Sequence, residues 1–163
     1  MSVSIPRVLS FLLLAAAAVV VAQAQGGSCD VAATEVLHRQ SSGVAFQQLR
    51  VIETETEWCA FWEEVFSNVS PAPDCDTTQI DFSSEVAVVA AIGNRPNGCY
   101  NADISCVNQR GQSDDLRVTV QEIVPGKGCL CTQATVSPVD VVKVPRPVGR
   151  VDFFLKKATL SCR

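Results

Sequence analysis

The hydrophobic positions of this chain keep three different rhythms. Residues 8–22 are apolar with only Ser10 interrupting them. Further on, Trp58, Phe61, Trp62, Val65 and Phe66 recur at i, i+3, i+4, i+7 and i+8, while Glu57, Glu63 and Glu64 fall off that face. Such a period predicts one amphipathic helix. Thr54 followed by Glu57 has capping-box spacing and marks its start, and Pro71 and Pro73 forbid its continuation. From residue 80 the pattern shortens to that of strands. "EVAVVAAIG" (85–93) is nearly all apolar, as a central strand buried on both faces would be. In "CYNADISCV" Tyr100, Ala102, Ile104 and Cys106 alternate onto one face, and in "DDLRVTVQEIV" Leu116, Val118 and Val120 alternate with Arg117, Thr119 and Gln121. "AFQQLRVI" (45–52) supplies an earlier strand, and "TQATVSP", "VVKV" and "RVDFFLKK" supply later ones. Breakers fall at 94–98, 110–114, 125–128 and 145–149. Short strands at this spacing predict a mainly β chain, a small β-sandwich or barrel-like domain, with the single helix packed on the adjoining sheet.

The first apolar run is a different matter. Arg7 precedes it, Ala22-Gln23-Ala24 closes it with a small-x-small pattern, and it is too short for a membrane span. Residues 1–24 therefore read as a secretory signal peptide, followed by a strand and helix segment (25–79) and a β domain (80–163). Removing 24 of the 163 residues leaves 139, enough for one well-buried core and without a transmembrane span. Lipidation at Cys29 is disfavoured because Gly26-Gly27-Ser28 lacks the apolar residue expected before a lipoprotein cysteine.

All eight cysteines, Cys29, Cys59, Cys75, Cys99, Cys106, Cys129, Cys131 and Cys162, lie in the exported part. An even number in an oxidising compartment predicts four disulfides and a periplasmic or extracellular location. Eight cysteines allow 105 pairings. Cys59 and Cys75 flank a helix end and a Pro-rich loop, which favours a local bridge; Cys129 and Cys131, two apart, each need a separate partner.

Loss of Arg7 takes the formal net charge from −4 to −5, which argues against a nucleic-acid partner. Charge is uneven, with Lys143, Arg146, Arg150, Lys156, Lys157 and Arg163 against Asp152 alone near the C-terminus; this reads as a basic strand beside acidic neighbours. The chemistry of catalysis is thin. His38 is the only histidine, in a polar stretch, and there is no G-x-S-x-G elbow. Carboxylates at strand ends such as Glu85, Glu122 and Asp140 are ordinary in solvated turns, so no enzyme is expected. Asp74, Asp76 and Asp81 lack the calcium-loop pattern, and "CLC" lacks zinc-knuckle spacing, so no cofactor or metal is expected. The stretch "IGNRPNGCY" lacks the Lys-Ser/Thr of a phosphate loop. Pro96, Asn97 and Gly98 instead predict a β-hairpin turn. Asn68-Val69-Ser70 is a glycosylation sequon.

Three segments together, "FSSEVAVVAAIGNRPNGCYNADI", "LRVTVQEIVPG" and "SPVDVVKVPRPVGRVDFF", resemble the C-terminal domain of the PrcB family of protease-complex subunits, over about residues 80–157. Gly93, Arg95, Pro96, Gly98 and Tyr100 match its G-x-R-P-x-G-G-Y loop, Glu122, Pro125 and Gly126 its E-x-x-P-G element, and Val141 to Pro145 its V-V-K-V-P segment. Cys99 replaces the second glycine of the loop. The resemblance implies a noncatalytic accessory protein that assembles with or stabilises a secreted or envelope protease. Asn94, Arg95, Pro96, Asn97, Gly98, Tyr100, Pro145 and Arg146 are its candidate protein-binding residues, since Arg and Tyr are favoured anchors. The alternative is a protease inhibitor presenting loops 94–98 and 145–149, which resemble those that chagasin-type cysteine protease inhibitors present from one end of a sandwich.

Overall fold

The computed structural model describes residues 29–75, 80–146 and 148–162. The signal-peptide reading of residues 1–24 and the expectations for Asp76 and Arg163 lie outside the described residues. In chain order the elements are β1 (Thr34–Arg39), β2 (Gln48–Ile52), α1 (Glu55–Val65), β3 (Glu85–Ala91), β4 (Asn101–Gln109), β5 (Leu116–Pro125), β6 (Val139–Pro145) and β7 (Val151–Leu160). One sheet has the antiparallel order β1-β6-β3-β2; the other has the order β4-β5-β7. In the second sheet β4 and β5 are antiparallel but β5 and β7 are parallel, because the chain crosses into the first sheet as β6 before returning.

The apolar run of β3 explains the layering. Ala87, Val89 and Ala91 join the aromatic face of α1 (Trp58, Phe61, Trp62, Val65), whereas Val86, Val88 and Ala90 pack against Ile104, Val107, Leu116, Val118 and Val120 of the second sheet. A strand between two apolar layers has no side for polar residues. The molecule is thus a mainly β sandwich with a helix on the outside of its four-stranded sheet. Thr54 caps α1 by accepting the Glu57 N–H at 3.3 Å. The Glu57 carboxylate reaches back to the Glu53 N–H, one residue before the cap.

Four disulfides connect the layers and loops: Cys29–Cys106, Cys59–Cys75, Cys99–Cys131 and Cys129–Cys162. The local 59–75 bridge and the separate partners of Cys129 and Cys131 are as the spacing predicts.

Several expectations need correcting. Residues 34–39 form an edge strand although "TEVLHR" is largely polar, because only Val36 and Leu37 of it lean on the core. The first expected strand begins at Gln48, leaving Phe46 in a loop. A bulge between Ile104 and Cys106 moves Val107 onto the buried face and takes Cys106 off it. "TQATVSP" forms no named strand, only an isolated bridge between Val136 and Arg95. The 94–98 segment is no hairpin: β3 and β4 lie in different sheets, so it carries the chain from one to the other.

Candidate functional site: a braced loop at one end of the sandwich

The crossing from β3 begins at Gly93, with φ +75°. A Cβ there would lie 2.9 Å from the Phe46 carbonyl carbon and 3.0 Å from the Ala45 carbonyl oxygen, so backbone approach as well as dihedral requires glycine. Asn94 then donates its N–H to Ala45 O (3.0 Å), and its side-chain oxygen accepts from the Ser137 hydroxyl (2.6 Å). Arg95 exchanges backbone bonds with Val136 in both directions, at 2.7 and 3.0 Å. Asn97 folds its side-chain oxygen onto the Cys99 N–H (3.1 Å), Gly98 donates to Thr132 O (2.9 Å), and Cys99 is bonded to Cys131. The Gln40 amide finally donates to the carbonyls of Gly98 (2.5 Å) and Tyr100 (3.2 Å). Six expected binding residues, Asn94 to Gly98 and Tyr100, therefore share one loop fastened to segments 40–46 and 130–137.

Arg95 faces inward. Its Nε donates to Glu122 Oε1 at 2.7 Å and its Nη1 to Asn94 O at 2.9 Å. Glu122 continues the buried alternation of Leu116, Val118 and Val120, and its side chain is only 6% exposed, against 23% for Arg95. An ionised carboxylate on that face needs a charged partner, and the crossing loop supplies it. The loop Arg and the strand Glu of the resemblance are thus one buried ion pair rather than two surface features.

Pro145 and Arg146 are elsewhere. The antiparallel register sets Ala91 beside Val139 and Glu85 beside Pro145. The two loops accordingly leave opposite ends of the four-stranded sheet, about 20 Å apart at roughly 3.4 Å per residue. Arg146 is also engaged, donating from Nε to Glu85 O (3.1 Å) and from Nη2 to Glu53 O (2.5 Å). The neighbouring basic residues follow the same pattern, with Lys143 on Glu85 and Arg150 on Asp152.

Two large apolar side chains stand open on the segments that fasten the loop, among exposed polar residues such as Gln47, Thr132 and Gln133. Phe46 is 82% exposed and Leu130 101%, the highest values among the exposed large hydrophobics of the described residues. Phe46 follows the residue whose carbonyl holds Asn94, and Leu130 sits between Cys129 and Cys131, each bound to a different partner. Sequence reading misses both, since Phe46 reads as a strand residue. The retrievable signal is "CLC", where two cysteines in separate bridges leave the intervening leucine little freedom to withdraw.

Other chemical groups are tied down. Trp58 and Trp62 donate their indole N–H groups to Cys75 O (3.2 Å) and Pro73 O (2.7 Å), fastening the Pro-rich loop to the helix. Asp81 accepts from Ser83 and Ser84, and those bonds hold its carboxyl below the ordinary range. Asp140 is 3% exposed. It accepts the Ile104 N–H at 2.6 Å and pairs with His38 Nδ1 at 3.2 Å, joining the two sheets. Its burial raises its carboxyl pKa despite those bonds. Asn101 meets His38 Nε2 at 3.0 Å, the atom that a nucleophile would need. Glu35, His38 and Asp140 bring ligand atoms within 4.8 Å of one another, the donor set among the described residues that could hold a cation. All eight cysteines are in disulfides, so none offers a thiolate.

Residues 86–145 match the family model PrcB C-terminal. No curated protein and no solved structure matches the chain. The PrcB C-terminal span runs from β3 into β6 and includes Gly93, Arg95 and Glu122, the residues that build the crossing. It leaves out β1, β2, α1 and β7, as well as Phe46.

Proposed function

We propose that this protein is an exported, noncatalytic protein-binding domain that acts as an accessory or stabilising partner of a protease, and that it meets its partner through the braced loop and its two exposed apolar neighbours. The observation that carries this reading is the PrcB C-terminal match over residues 86–145, in a chain whose match-bearing loop is rigidly held beside Phe46 and Leu130. Rigid loops with exposed large apolar groups lose little entropy on docking. Four disulfides suit an extracytoplasmic setting, and no helix among the described residues is long and apolar enough to cross a membrane. The inhibitor alternative is less well supported, because its two loops lie at opposite ends.

Crosslinking of the native protein in its own host, with mass spectrometry of the captured chains, tests the proposal. The expected result is a protease captured by the native protein, lost in the double variant Phe46→Ser/Leu130→Ser, and degraded faster when the protein is absent. Capture of no protease, or hydrolytic activity of the purified protein on peptides, esters or glycosides, overturns it; stoichiometric inhibition of a papain-like enzyme moves the case to the inhibitor.

A further inference from the structure

β7 is ten residues long and closes the three-stranded sheet as its outer strand. Arg150 turns its carbonyl to the Leu116 N–H on β5 at 2.8 Å. Backbone groups alternate sides along a strand, so those of Val151, Phe153, Leu155, Lys157 and Thr159 face away from β5. No backbone bond of another described segment reaches them. Three of the six exposed large hydrophobic residues among those described, Phe154 (39%), Leu155 (38%) and Leu160 (39%), are on this strand. A long edge with apolar side chains is a template for another strand.

We infer that β7 pairs antiparallel with β7 of a second copy of this chain, on a two-fold axis through Phe154. The charges select both occupant and register. Lys156 and Lys157 would ordinarily guard an edge against pairing, and neither has an ion-pair partner among the described residues. With Phe154 opposite Phe154, however, Asp152 of each copy faces Lys156 of the other, Phe153 faces Leu155, and Val151 faces Lys157. A two-fold axis on Lys156 would oppose the two lysines, and one on Phe153 would oppose Arg150 to Lys156; both are repulsive. The outward backbone groups of Phe153 and Leu155 form the hydrogen-bonded pairs of this register. Phe154 and the Asp152/Lys156 pairs then fall at non-hydrogen-bonded positions, where side chains approach most closely. Arg117 stacks over the Phe154 ring at 4.2 Å and holds it in place. Asp152 also pairs with Arg110 through Oδ2 and with Arg150 through Oδ1; the Arg150 side chain is 80% exposed and can give way to the incoming lysine, leaving Asp152 shared between Arg110 and that lysine. The result is one continuous six-stranded sheet. It uses a surface remote in sequence from the braced loop and does not depend on the accessory role.

The test is sedimentation velocity of the purified, disulfide-intact protein across a concentration series, with wild type and Lys156→Glu. Wild type should show a reversible monomer–dimer equilibrium. Lys156→Glu, which sets Glu against Asp152 twice, should weaken it by about tenfold or more. Phe154→Cys should give a covalent dimer under mild oxidation, whereas Ala158→Cys, which this register sets opposite Arg150, should not. A monomeric wild type, a dimer indifferent to Lys156→Glu, or crosslinking through 158 in preference to 154 would overturn the inference.

Discussion

Replacing Arg95 by Met keeps the length of its side chain and removes the charge that Glu122 faces. The Glu122 carboxylate is then left 6% exposed on the inner face of β5, with its 2.7 Å donor gone. Breaking a fully buried pair from one side costs about 3–5 kcal/mol. Arg95 is 23% exposed, so water can enter part of the vacated space, and a loss of about 2–3 kcal/mol is the appropriate expectation. Glu122→Leu should cost less, about 1–2 kcal/mol, because the remaining guanidinium can turn toward solvent and keep its bond to Asn94 O. The double variant Arg95→Met/Glu122→Leu should cost no more than the milder single change, since well-packed apolar groups often replace a buried ion pair without loss. The resulting coupling energy is about 2–3 kcal/mol. Urea titration of the four proteins with disulfides intact measures it, provided the slopes agree. Additive effects, or an Arg95→Met loss below about 0.5 kcal/mol, would refute the view that this pair fixes the crossing loop to the second sheet.

Gly93→Ala should destabilise by about 1–3 kcal/mol from its φ of +75° and its backbone contacts, read by the same titration. The chain-entropy model gives the Cys29–Cys106 bridge, with a separation of 77, an advantage over Cys59–Cys75, with 16, of about 1.4 kcal/mol. Paired Cys→Ser variants of each bridge should differ in that order in denaturation midpoint. Asp140 supplies the pH prediction. Its folded pKa is raised above the reference value of 3.8, so the folded chain binds the proton more readily. Its contribution to stability is therefore fullest below pH 3.8 and is lost as pH rises through the raised value. Asp140→Asn should remove that slope relative to wild type, while the contributions of other carboxylates cancel in the comparison.

The parts of the fold legible in the sequence were those in which one physical requirement dominates. α1 declared itself because its aromatic stripe and its Thr54 cap agree, and β3 because a strand between two layers must be apolar throughout. β1 was hidden because an edge strand with polar neighbours needs little hydrophobic alternation. Tertiary contacts decided the rest. The bulge near Ser105 is invisible to a period-two reading, and "NRPNG" carries good hairpin chemistry while serving as a crossing. Glu122 interrupts an apolar face, which is a readable sign of a buried partner, but its identity follows only from the path of the loop. The opposite placement of residues 94–98 and 145–149 required the β3–β6 register.

That division bears on what the PrcB C-terminal match carries with it. Gly93 permits the close approach of the 45–47 backbone, Arg95 neutralises Glu122, and Gly98 donates to Thr132; these three matched residues act inside the molecule. Substituting them should change stability before it changes recognition. Phe46 lies outside the matched span, and Leu130 lies within it at a position fixed by this chain's own pair of bridges. A family pattern made of scaffold residues can persist while the exposed apolar groups around it vary, so the fold transfers directly and the partner has to be established from the surface. Comparing Arg95→Met with Phe46→Ser separates the two roles: the first should lower the denaturation midpoint, and the second should leave the midpoint in place and abolish capture.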